Sequence, residues 1–107
     1  MTNPNNSFGT RLKELRKAKN CLLRKVAAEL DMDQSILSKI ENGLIFPNNN
    51  LIEHIAKYYN RPIDELQILL YADKIMTDYG HYPHAQTVIS LVKERLSEYD
   101  TNPTEGK

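Results

Sequence analysis

The stretch "DMDQSILSKIENG", residues 31–43, decides the fold. Asp33 stands ahead of a short amphipathic run as an N-cap, and Gly43 closes it as a C-terminal stop. Between them the spacing predicts a helix over Gln34–Asn42, with Ile36, Leu37 and Ile40 as apolar positions. Gln34, Ser35, Ser38 and Lys39 are left on the other side. What that polar side serves depends on the helices around it.

Upstream, a second helix over Leu22–Leu30 turns Val26, Ala27 and Leu30 inward. Only Asp31–Asp33 join it to the third, and so short a link makes two amphipathic helices cross steeply rather than lie antiparallel. This is helix-turn-helix geometry, and the exposed third helix has the size to enter the major groove of double-stranded DNA. The first helix spans Phe8–Lys19, capped by Ser7, with Phe8, Leu12 and Leu15 at helical spacing. Downstream of the loop "LIFP", Asn48–Asn50 offer caps for a fourth helix ending near Tyr59, with Ile52, Ile55, Ala56 and Tyr59 facing in. Pro62 fits the first turn of a fifth helix that reaches Tyr79. Gly80 and Pro83 interrupt the pattern, and a sixth helix follows over His84–Tyr99. The tail "DTNPTEGK" is polar and expected to fray.

A chain of 107 residues can bury only a modest core, so association is expected. With 40% hydrophobic and 26% charged residues it reads as globular, and no apolar run nears the roughly 20 residues of a membrane span. The start "MTNPNNS" lacks the pattern of a secretion signal and one cysteine makes no internal disulfide, which together favour the cytoplasm. Cys21, beside Leu22 and Leu23, reads as a buried structural thiol. Net charge is zero, yet residues 1–47 hold eight Lys and Arg against five Asp and Glu, and the remainder holds six against nine. One surface is therefore suited to a polyanion and another is turned away from it.

"RLKELRKAKN", "KVAAELDMDQSILSKIENG", Pro47 and "IEHIAKYYNRPIDEL" together resemble the Cro and lambda-repressor type of helix-turn-helix regulators, the xenobiotic-response-element family, over Phe8–Leu66. The resemblance implies an all-α fold: a five-helix lambda-repressor-like DNA-binding domain, here with helix five extended and a further C-terminal helix. It places Gln34 where relatives read a base edge, an amide being able to pair with adenine N6 and N7. Ser35 and Lys39 hold neighbouring reading positions, Ser38 stands closer to the DNA backbone, and Asn42 matches a phosphate contact. It also pairs Glu41 with Arg16 as a structural ion pair. Arg11, Lys13 and Lys17 are either a solvated face or phosphate ligands, and Lys17 is carried as a backbone candidate.

The chain departs from the family where relatives place Ser or Thr and then Gln at the start of helix two. Leu22 and Leu23 stand there, leaving Arg24 and Lys25 as substitute backbone ligands. Asp31 replaces a glycine in a left-handed turn, which Asp tolerates at some cost. "LIFP" is apolar where relatives are often basic, and either packs under helix four or meets a second subunit.

The organisation expected is a DNA-binding domain over 7–66, a helical extension over 67–99 and a flexible tail over 100–107. Leu69, Leu70, Met76, Val88, Leu91, Val92 and Leu96 form apolar stripes expected to dimerise, so that two recognition helices read a near-palindromic operator. The leucine pair and "ADKI" look most like small regulators encoded beside the methyltransferases of restriction-modification systems. The competing class is an antitoxin-like module whose extra helices block a protein partner. His81 and His84 lack further ligands, and no metal, cofactor, nucleophile–base pair or Gly-rich phosphate loop is expected. The chain reads as a non-enzyme.

Overall fold

The computed structural model describes residues 7–100, Asp100 by its backbone only; the expected tail lies outside them from residue 101 onward. Six helices follow in order: α1 Phe8–Ala18, α2 Leu23–Glu29, α3 Gln34–Glu41, α4 Asn49–Tyr59, α5 Ile63–Tyr79 and α6 Ala85–Asp100. Among the described residues there is no strand, and no helix is long and apolar enough to cross a membrane.

The chain forms two units, one reaching to Lys74 and one beginning at Ile75, so the division falls inside α5. The first unit is built on one core. Phe8 and Leu12 from α1, Val26 and Ala27 from α2, Leu37 and Ile40 from α3, Ile52, Ile55 and Ala56 from α4, and Leu66 and Leu70 from α5 are all buried. Leu70 is 1% exposed and Leu69 packs partly buried against the same core. These two leucines, expected at a dimer interface, are thus consumed within the unit, because the last turns of its core come from α5 beyond Leu66. The outward apolar residues of α5 are instead Ile68, Tyr71, Ile75, Met76 and Tyr79.

Ends of the helices are set by side chains the sequence supplies locally. Ser7, Asp33 and Asn48 accept from the backbone N–H groups of Thr10, Ser35 and Leu51, capping α1, α3 and α4. Leu22 opens α2 with no side-chain cap. The first four helices all stop on a left-handed residue: Asn20, Asp31, Gly43 and Asn60 have φ of 61°, 56°, 77° and 55°. Each stop carries the paired bonds of a Schellman turn, as in Met32 N–H to Ala27 O at 2.9 Å and Asp31 N–H to Ala28 O at 3.1 Å. Only one of the four is glycine. Asn and Asp accept the conformation because their short polar side chains tolerate it best among residues with a Cβ.

Two contacts lock α1 onto α3. The Arg16 guanidinium grips the Glu41 carboxylate from Nε at 2.9 Å and from Nη2 at 3.0 Å, while its Nη1 donates to Cys21 O at 3.2 Å. Glu41 is the buried charged residue of this core, with its side chain 3% exposed against 16% for Arg16. Hydrogen bonding to Glu41 raises the Arg16 pKa further. Burial, followed by the nearby Glu41 charge, pushes the Tyr59 hydroxyl up as well. Removing one member of such a pair strands a buried charge, a loss of about 3–5 kcal/mol. Beside the pair, Gly9 lets the two backbones meet: a Cβ there would press on the Glu41 carbonyl and lie 2.9 Å from Ile40 O. At the other side of α1, Asp73 accepts from Phe8 N–H at 2.9 Å and Glu65 accepts from Arg11 Nε at 3.0 Å, tying it to α5.

Cys21 is half-buried rather than buried, its Sγ 3.5 Å from Lys19 O. Leu30 is likewise half-buried. In "LIFP" the outcome divides: Phe46 and Pro47 pack inward, whereas Leu44 is 71% exposed and Ile45 borders on solvent.

Gly9→Ala tests the backbone contact. Alanine gains about 1 kcal/mol of helix propensity, but forcing a methyl against fixed backbone costs about 1–3 kcal/mol or more. A net loss of about 1–2 kcal/mol in urea unfolding is expected.

Candidate nucleic-acid interface

With Leu37, Ile40 and Glu41 buried, the direction of α3 about its own axis is fixed. Gln34, Ser35 and Lys39 then face solvent, and Ser38 is half-buried. Ile36 is also exposed, at 38%, although its apolar character placed it with the core. The reason is angular. Successive residues of an α-helix turn by about 100°, so a buried face centred on positions 37, 40 and 41 leaves position 36 at its border. Treating Glu41 as a core residue would have revealed this in the sequence.

The first turn of α3 is held by Asp33, whose Oδ1 accepts from both the backbone N–H and the hydroxyl of Ser35 at 2.7 Å. The single hydroxyl hydrogen of Ser35 is thereby engaged, so toward a ligand Ser35 Oγ acts as an acceptor. Adenine N6 and cytosine N4 are the major-groove donors that suit it. Those hydrogen bonds from Ser35 also hold the Asp33 carboxyl below the usual carboxylate range.

At the far end of α3, Asn42 is the C-cap. Its Oδ1 accepts from Lys13 Nζ at 2.9 Å and its Nδ2 lies 3.4 Å from Ser38 Oγ. Ser38 and Asn42 are thus brought together, and Lys13 joins them from α1. Nothing in the sequence pattern signals this link, because it bridges residues 29 apart. Lys39 makes no ion pair among the described residues. Lys17 and Arg24 are exposed, as is Lys25, which reaches Glu29 at 3.6 Å. An exposed pair of that kind contributes little to stability and leaves the lysine available.

The exposed surface of α3 is mixed in chemistry. It offers an amide at Gln34, an oriented hydroxyl at Ser35, an ammonium at Lys39 without an ion pair among the described residues, and an apolar edge at Ile36; Arg24, Lys25 and Lys17 are exposed on α2 and α1. No three His, Cys, Asp or Glu side chains gather as a metal site among the described residues.

A helix-turn-helix family model matches residues 12–66. The chain is also 34% identical over 59 residues to the HTH-type transcriptional activator BcrR of Enterococcus faecalis. That match takes in 55% of this chain and 29% of the relative, so the chain spans less than a third of that protein's length. No solved structure matches the chain significantly.

The Asp33 cap gives a pH-dependent expectation. A carboxyl whose folded pKa lies below its unfolded value contributes stability above the unfolded pKa of about 3.9 and loses it as pH falls through the folded value. Asp33→Ala should therefore unfold at lower urea than the parent at pH 7, and the two midpoints should converge as the solution is acidified below that range.

Proposed function

Because this chain belongs to the helix-turn-helix family, we propose that it is a sequence-specific, DNA-binding transcriptional regulator that acts on double-stranded DNA in the cytoplasm. The observation that carries this reading is the exposed surface of α3: Ser35 and Lys39 lie opposite the face fixed by Leu37, Ile40 and Glu41, and Gln34 is exposed at the first position of the helix. Gln34, Ser35 and Lys39 read base edges. Arg24, Lys25, Lys17, Ser38 and Asn42 meet the sugar–phosphate backbone and set the register of the helix. The relative's description as a transcriptional activator supports a role at promoters.

The protein acts as a homodimer on a near-palindromic operator. Support comes from the second unit, in which no side chain described from Ile75 to Tyr99 is buried. Two helices joined by a turn do not hold together on so little core, and small units of this kind rely on association. Ten large apolar side chains of that unit are exposed, among them Met76, Val88, Leu91, Val92 and Leu96. At roughly 80 Å² each they offer on the order of 800 Å², the share one partner contributes to a standard interface. A second copy covering this surface would carry a second α3 to the other half-site. The likeness to regulators encoded beside methyltransferases directs the search for operators to promoters of such genes.

Selection from a random duplex library at near-physiological salt, with the mass of the retained complex, tests both parts. A near-palindromic motif held by two chains is the expected result. Absence of enrichment above salt-sensitive background would overturn it and leave the apolar surface of α5 and α6 for an antitoxin-like role against a different protein. On the enriched site Gln34→Ala should lose about 1–3 kcal/mol, with little change on random DNA.

A further inference from the structure

We propose that Ile36 is a specificity-determining residue that senses the C5-methyl group of a pyrimidine in the major groove. The inference rests on α3 being the reading helix, as above, and adds an apolar reader to the polar ones.

Ile36 is 38% exposed, whereas Leu37 and Ile40 on the same helix are 2% and 1% exposed. The isoleucine is therefore not part of the core that its neighbours build. It borders the face that carries Ser35 and Lys39, and Lys39 is its neighbour three residues on, the spacing that brings helical side chains side by side. The aliphatic stem of Lys39 can extend the apolar surface that Ile36 begins, while the ammonium stays free for a polar contact. A β-branched side chain on a helix is held largely in one rotamer, so this surface is presented in a fixed position without further ordering.

The major groove has one feature that such a surface can recognise. Thymine carries a methyl group at C5 where cytosine has hydrogen, and every other base-edge group there is a hydrogen-bond donor or acceptor. Gln34 and Ser35 hydrogen-bond and cannot register a methyl. Ile36 can bury one, and cannot form a hydrogen bond to any base. A 5-methylcytosine presents the same methyl group, so both sources share the chemistry and the test separates them.

The experiment uses the full chain and the duplex enriched from the random library. Each thymine is replaced in turn by deoxyuridine, which keeps the hydrogen-bonding edge and removes the methyl. At one position per half-site the affinity of the parent protein should fall about three- to tenfold, the scale expected for exposing one buried methyl. Ile36→Ala should lose a similar factor on the thymine duplex and show no further loss on the deoxyuridine duplex. Ile36→Val should keep part of the discrimination, and circular dichroism of both variants checks that α3 remains folded. Replacing each cytosine by 5-methylcytosine forms the second arm: tighter binding at one position that depends on Ile36 assigns the methyl to methylcytosine. If a motif is bound but every methyl substitution is neutral, or Ile36→Ala responds to them as the parent does, the proposal is overturned while the DNA-reading role stands. If no motif is enriched, both fall.

Discussion

The buried carboxylate of Glu41 governs this structure. A charge so far removed from water persists only when a cation meets it with good geometry. Arg16 supplies that cation through Nε and Nη2, and its remaining Nη1 is satisfied by the Cys21 carbonyl. One guanidinium therefore ties three pieces together: α1, the turn that follows it, and the last turn of α3. Gly9 lets the backbones of α1 and α3 approach where the pair forms. With that end of α3 locked, Leu37 and Ile40 fall into the core and the outward face is determined.

The connections around α3 are as constrained as its packing. Four successive helices end in left-handed turns at Asn20, Asp31, Gly43 and Asn60, so each helix is stopped within a residue or two. At Asp31 this turn sets the crossing of α2 and α3. Two residues on, Asp33 caps α3 and engages the hydroxyl of Ser35. The turn, the cap and the side chain whose hydroxyl the cap engages thus fall within five residues, 31–35, and changes to any of them bear on the exposed face of α3.

Much of the first unit was legible because its signals are local. Ser7, Asp33 and Asn48 are N-caps by residue type, Gly43 is a stop by residue type, and the apolar spacing locates the helices to within a residue or two of their observed ends. Asn20 and Asn60 carry no stop signal in the sequence, since asparagine is common in loops of every kind and only its φ distinguishes the left-handed ones. A count of apolar positions puts Ile36 inward because it overlooks a buried glutamate: once Glu41 belongs to the core, the wheel rotates and Ile36 moves to its edge. Leu70 and Leu69 illustrate the opposite case. Their stripe on α5 is apolar on both sides, and periodicity alone does not say which side meets the domain core and which remains outward.

By itself the sequence determined six helices, their order, most of their ends, the helix-turn-helix at residues 22–42 and its polar residues, because caps, breakers and a period of 3.6 act between residues close along the chain. Tertiary structure alone decided which apolar residues stay exposed, that Lys13 meets Asn42 across 29 residues, and that the core of the first unit extends to Leu70. These depend on how helices rotate about their axes when they pack. That rotation follows from long-range contacts, chief among them the capture of Glu41 by Arg16, which no local pattern encodes.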